Sequence, residues 1–209
     1  MRPPPSRRGS GRPRRARVIA VLVAALAVTA VDTAATCAPE PFDAARIVLT
    51  KLTGPPGDDR FLLRGRLTVP SLTALAGIAM VSGLGVTVAD RTRGVVVDAR
   101  LPPGTLEKAT RRGWRMREAG FVWRWTDKNP SPAGGIRRAK LEYEGKDDRG
   151  RVVVSVLVKG HGIAYATDLA PEATVTLDPD AGPCFRATFA DAPGPHCRRS
   201  ESGATIRCR

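Results

Sequence analysis

The chain has 209 residues, 42% of them hydrophobic, and a formal net charge of +14. That length suits one domain plus a leader, at roughly 100–200 residues per domain, and 18 prolines with 21 glycines favour many turns and exclude a body of long helices. Residues 1–17 carry seven arginines and no acid; the rest holds 27 basic and 20 acidic residues, a sign-mixed +7 that disfavours nucleic acid as the partner.

The N-terminus reads as an export signal. A positive segment precedes the apolar run VIAVLVAALAVTAV and the small residues DTAATC, the pattern of a secretory signal peptide over residues 1–35. The run is short for a membrane span of about 20 residues. Cleavage after Ala35, with Thr33 at −3, fits best, and Val28 with Ala30 offers an earlier site. Arg7 and Arg8 follow Ser6 as in twin-arginine signals, without the hydrophobic residues expected after them. Ala34, Ala35, Thr36 and Cys37 form an imperfect lipobox, so acylation of Cys37 stays open. The expected location is periplasmic, envelope or extracellular, with the membrane reached only through an uncleaved leader or a lipidated Cys37.

Residues 36–43 read as a linker, and 44–209 as one domain. Segment 45–52 is a strand, TGPPGDDR a turn, and 61–69 a second strand, with Phe61, Leu63, Leu67 and Val69 on one face and Arg64, Arg66 and Thr68 on the other. Gly65 in mid-strand signals a bulge or a close backbone approach. Residues 70–83 are apolar without a clean period and fit a short helix or a buried crossover. A hairpin follows over 84–89 and 94–101, where Val95, Val97, Ala99 and Leu101 share a face. LPPG stops it, and 106–112 reads as a single helical turn. Residues 114–117 and 121–126 form another hairpin around 118–120.

The central hairpin spans 136–159. Ala139, Leu141 and Tyr143 alternate with Arg138, Lys140 and Glu142, and EGKDDRGR makes the turn. In the second arm Val152, Val154, Val156 and Val158 share one face while Val153 and Leu157 occupy the other, so a mid-sheet strand covered on both sides is expected. Further strands are expected at 163–165, 173–177, 184–189 and 204–208. About 8–10 short strands with turn chemistry between them predict an all-β, antiparallel β-sandwich, Ig-like or jelly-roll-like.

The segments IVLTKLTGPPGDDRFLLRGRLTVP, LPPG ahead of GW, GGIRRAKLEYEG with VVVSVLVKG, and CFRATF resemble exported β-rich domains common in myxobacterium-like proteomes. The likeness runs over most of 44–209. It implies export and an all-β fold; those domains have no assigned activity, so it carries no site residues.

Candidate chemistry is sparse. Four cysteines, Cys37, Cys184, Cys197 and Cys208, suggest disulfides in an exported chain. If 184–189 pairs antiparallel with 203–208, Cys184 falls opposite Cys208, leaving Cys197 for Cys37 or unpaired. His196 beside Cys197 raises zinc, but the paired CxxC spacing is absent and no metal is expected. Trp114, Trp123 and Trp125, interleaved with arginines such as Arg124, would stack on sugars or bases if exposed. Their parity favours instead a core position for Phe121, Trp123 and Trp125, with Val122, Arg124 and Thr126 facing out. Asp178, Asp180 and Gly182 make only part of a calcium loop. His161 and Asp168 lack a nucleophile motif, and no phosphate-cradling glycine loop suggests a cofactor. The expected function is a non-enzymatic binding or structural role toward a polysaccharide or envelope protein; the alternative is a polysaccharide-directed hydrolase with dispersed carboxylates.

Overall fold

The computed structural model describes residues 39–55, 57–90, 94–129, 134–162, 173–178, 184–189 and 196–209. The leader, Cys37, the strand expected at 163–165, Asp168, Asp180 and Gly182 lie outside them. Thirteen strands occur among the described residues, more than the sequence suggested, with one six-residue helix.

Alternation of apolar and polar residues sets the strands. β1 (Glu40–Pro41), β2 (Asp43–Thr50), β3 (Arg60–Val69), β4 (Leu84–Asp90) and β5 (Gly94–Leu101) come first. β6 (Gly113–Arg117), β7 (Val122–Thr126), β8 (Ile136–Lys146) and β9 (Val152–His161) follow, and β10 (Ala173–Asp178), β11 (Phe185–Phe189), β12 (Cys197–Arg199) and β13 (Thr205–Cys208) close the chain. One sheet has five strands in the order β1-β11-β10-β4-β5, the other eight in the order β12-β13-β2-β3-β9-β8-β7-β6. All pairings are antiparallel except β1 with β11.

Several expectations shift. Residues 40 and 41, expected in the linker, pair with Phe185 and Arg186, because the Glu40 amide reaches the Cys184 carbonyl. The apolar stretch after β3 becomes α1 (Leu72–Gly77), capped by the Ser71 hydroxyl on the Ala74 amide, and runs into a π-helical turn at Ile78–Ser82. At 106–112 the expected single turn forms: the Arg111 amide donates to the Glu107 carbonyl at 2.9 Å, and Leu106 donates to the Trp114 carbonyl and Glu107 to that of Arg112, closing a tight loop. Gly113 (φ 126°) permits it, since a β-carbon there would stand 2.5 Å from the Thr105 carbonyl oxygen. In β5, Val95 is exposed rather than sharing the inward face of Val97, Ala99 and Leu101. A register shift between Val88 and Ala89 pairs Val95 with Ala89 and Val97 with Val88, which breaks the alternation.

Inward residues of both sheets, among them Leu63, Leu67, Val154 and Val156 of the larger and Val86, Leu101 and Phe185 of the smaller, belong to one buried cluster. Fully burying each such side chain is worth about 1.5–3 kcal/mol. Gly65 makes a close approach: a β-carbon there would clash with the end of the Phe42 ring. β9 is central, between β3 and β8, but only one of its faces is covered. Val152, Val154, Val156 and Val158 are buried, whereas Val153, Ser155 and Leu157 are half-buried and Lys159 is exposed.

Asp147 organises the β8–β9 turn. One oxygen accepts from the amides of Arg149 (3.0 Å) and Arg151 (2.8 Å), the other from the Arg151 guanidinium at 2.9 Å. Desolvation pushes this carboxyl up, but the Arg151 amide and guanidinium and the Arg149 amide together hold it below the usual carboxylate range.

Two outcomes follow from this architecture. Val154→Asp should unfold or severely destabilise the domain, by several kcal/mol, because it puts an unpaired carboxylate in the core; an unchanged melting temperature would show that β9 is not central. Because the folded pKa of Asp147 is depressed, its contribution is present at neutral pH and is lost as pH falls through that folded value. An NMR titration should place the Asp147 midpoint below that of an unstructured peptide, and Arg151→Ala should raise it.

Candidate functional site: a cationic sheet face

The tryptophans are core residues. Trp114 is 1% exposed and donates its indole N–H to the Pro102 carbonyl at 3.1 Å. Trp125 is fully buried and Trp123 nearly so, and neither indole nitrogen has a hydrogen-bond partner. A ring enclosed in this way offers no face to a sugar or base. Phe121, expected among them, is instead 41% exposed and lies against Tyr143, ring centroids 5.3 Å apart. Val122 is buried although its parity points outward. It sits in register between Arg117 and Glu142, whose long stems shield a small neighbour. Of the sequence candidates here, only Arg124 reaches the surface.

Arg124 belongs to a larger feature that sequence reading missed. The outer face of the eight-stranded sheet is laid out in rows at right angles to the strands. In one row, Arg115 stands opposite Arg124, Arg124 opposite Lys140, Lys140 opposite Leu157, Leu157 opposite Arg64, and Arg64 opposite Arg46. In the next, Thr126, Arg138, Lys159, Leu62, Val48, Arg207 and Arg198 follow one another. Every arginine in the two rows is exposed, as is Lys159; Lys140 is half-buried.

Like charges directly opposite one another destabilise a sheet, by up to about 1 kcal/mol per pair. Arg115–Arg124, Arg124–Lys140, Arg138–Lys159, Arg46–Arg64 and Arg198–Arg207 are all such pairs. Partial relief comes from Glu142, paired with Lys140, and from Glu144, 2.8 Å from Arg66. Exposed ion pairs of this kind contribute little. Among the described residues the face therefore carries an excess of unneutralised positive charge.

At the β6 end the rows open into a groove of about 920 Å³. Its floor includes Arg117, Arg124, Arg137 and Arg138, and the 106–111 loop supplies Lys108 and Arg111 as a wall. Two acids also line it. Glu107 accepts from the Thr110 hydroxyl at 2.7 Å, and the buried Asp127 accepts from the Asn129 amide at 2.8 Å with the Arg112 guanidinium 3.5 Å away. At the opposite end, Arg198, Arg207 and Arg209 border a smaller pocket of about 290 Å³.

The cysteines depart from the expected pairing. Cys197 is bonded to Cys208. Cys184 is also in a disulfide, so the Cys184–Cys208 bridge does not form. β11 and β13 lie in different sheets, which removes the register that favoured it; β12 is the partner that puts Cys197 opposite Cys208. With all three sulfurs in disulfides, none is a thiolate for zinc beside His196. The bridges fit an oxidising compartment.

Joint replacement of Cys197 and Cys208 by serine should lower stability by about 2–3 kcal/mol, the scale for a bridge between cysteines 11 positions apart. Trp125→Ala should cost about 3–5 kcal/mol in denaturant unfolding, and tryptophan fluorescence should resist a soluble quencher until the domain unfolds. A stable Trp125→Ala protein would put the ring at the surface.

No protein-family model, curated protein or solved structure matches this chain, so its function is read from its own side chains.

Proposed function

We propose that this is an exported, non-enzymatic β-sandwich domain, of the kind its likeness to myxobacterium-type exported domains implies, that binds an anionic partner at the cell envelope or outside the cell. The observation that supports this most is the outer sheet face, where arginines and lysines are set opposite one another across six strands. Such an arrangement costs stability when unoccupied and is repaid when anions neutralise it. The disulfides and the signal-like residues 1–35 agree with export. Mature protein starting near Thr36 would carry this face to the envelope.

A polysaccharide-directed hydrolase is the second reading, favoured by one observation: Glu107 and Asp127 line the same groove. Two carboxylates flanking a bound sugar are what glycoside hydrolysis requires. Here Glu107 accepts from the Thr110 hydroxyl, which suits a structural role, whereas Asp127 accepts from the Asn129 amide through one oxygen and its other, 3.5 Å from the Arg112 guanidinium, makes an ion pair without a hydrogen bond.

Fractionation of the producing cells tests the proposal. The chain should be recovered outside the cytoplasm without residues 1–35, and should sediment with isolated envelopes and be released by salt. Cytoplasmic recovery with Met1–Arg17 attached would overturn export. Release of reducing ends from a polysaccharide panel, abolished by Asp127→Asn, would establish the hydrolase.

A further inference from the structure

We infer that the anionic partner is an acidic polysaccharide, lying across the strands of the eight-stranded sheet along the two cationic rows. This rests on the reading of the domain as an envelope-binding module and goes on to name its ligand.

Spacing is the first argument. Neighbouring strands lie roughly 4.8 Å apart, so the row from Arg115 to Arg46 crosses five gaps and about 24 Å. One interstrand step is close to the length of a pyranose unit in an extended chain. A glycan running along the row would therefore present successive sugars to successive strands, and a carboxylate or sulfate on a sugar would meet an arginine or lysine.

The composition of the rows is the second. Their middle is aliphatic: Leu157 in one, Leu62 and Val48 in the other, all half-buried. Cations flank this strip at both ends. Sugars combine anionic substituents with apolar C–H faces, and so match a surface that is charged at its ends and aliphatic at its centre. Sites for single-stranded nucleic acid pair a basic groove with exposed aromatic rings on which bases stack. Here the apolar residues of the rows are aliphatic, and Trp114, Trp123 and Trp125 are buried.

The groove at the β6 end gives the polymer a terminus. Arg117, Arg124 and Arg138 converge there with Lys108 and Arg111 from the loop. Guanidinium groups bind carboxylate and sulfate oxygens in a fork, so this end should hold the most heavily charged unit.

The test uses the mature, disulfide-intact protein and five probes: polygalacturonate, dextran sulfate, neutral dextran, single-stranded DNA, and phosphatidylglycerol vesicles. Binding to at least one acidic polysaccharide should be tighter than to the other three, and should weaken as salt rises. Arg64→Ser with Arg124→Ser should weaken it at least tenfold while leaving the melting temperature unchanged or raised, because each replacement removes opposed like charges. Lys146→Ser with Arg149→Ser removes the same net charge from the β8–β9 turn and should change affinity less than twofold. Equal loss in both variants would mean that net charge alone binds, and would overturn the rows as a site. Tighter binding to DNA, to vesicles or to neutral dextran would overturn the ligand class. Salt-sensitive retention by whole envelopes with no affinity for either acidic polysaccharide would overturn this inference and leave the envelope-binding proposal standing; failure of envelope retention as well would overturn both.

Discussion

Strand β9 is paired along both of its edges, with β3 from Arg60–His161 to Val69–Val152 and with β8 from Ile136–Gly160 to Lys146–Val152. These are the longest ladders in the molecule, and their register decides what each side of the larger sheet carries. Because side chains alternate with a period of two, a slip of one residue would send Val154 and Val156 into solvent and Leu157 and Lys159 into the core. The buried valines exclude that slip by several kcal/mol. The same constraint holds Lys159 opposite Arg138, and Leu157 between Lys140 and Arg64. Core packing and the cationic face are thus two consequences of one register.

Seen this way, the repulsion on the outer face is affordable only because the inner face is so well buried. Each opposed pair of cations works against the sheet, while the aliphatic and aromatic residues beneath it hold the strands together regardless. Trp123 and Trp125 occupy β7 on the side opposite Arg124, so the bulkiest core residues lie directly under the most crowded positive charge. A cationic face that strains the sheet needs such a foundation. The primed turn at Glu118 and Ala119, both at positive φ, adds about 1 kcal/mol of backbone strain per residue at the same end, and the β6–β7 ladder absorbs it.

The edges of the larger sheet are handled differently. β6 is met by the 105–112 loop, which bridges Thr105 to Trp114 and leaves less of the edge exposed to another chain. β12 is only three residues long and is tied to β13 through Cys197–Cys208. A short edge strand clamped by a covalent bond keeps Arg198 in register with Arg207, which matters because the pair would otherwise separate.

Sequence alone determined most of the longer strands, because alternation of apolar and charged residues is a local signal that survives without knowing any partner. It located the β2–β3, β4–β5, β6–β7 and β8–β9 hairpins, the close approach at Gly65 and the inward parity of Trp123 and Trp125. Tight turns rest on local chemistry too, as in the single turn at 106–112, which the Arg111 amide closes on the Glu107 carbonyl. What only the tertiary structure decided is which strands are neighbours. Arg46, Arg64, Arg115, Arg124 and Lys140 are dispersed along the chain, and nothing near any one of them says that they stand in a row. Cys197 and Cys208 found each other by the same kind of pairing, through a three-residue strand with no periodic signal of its own. Register between distant strands is set by the summed burial of a whole core, and that sum exists only once the sheets have closed on it.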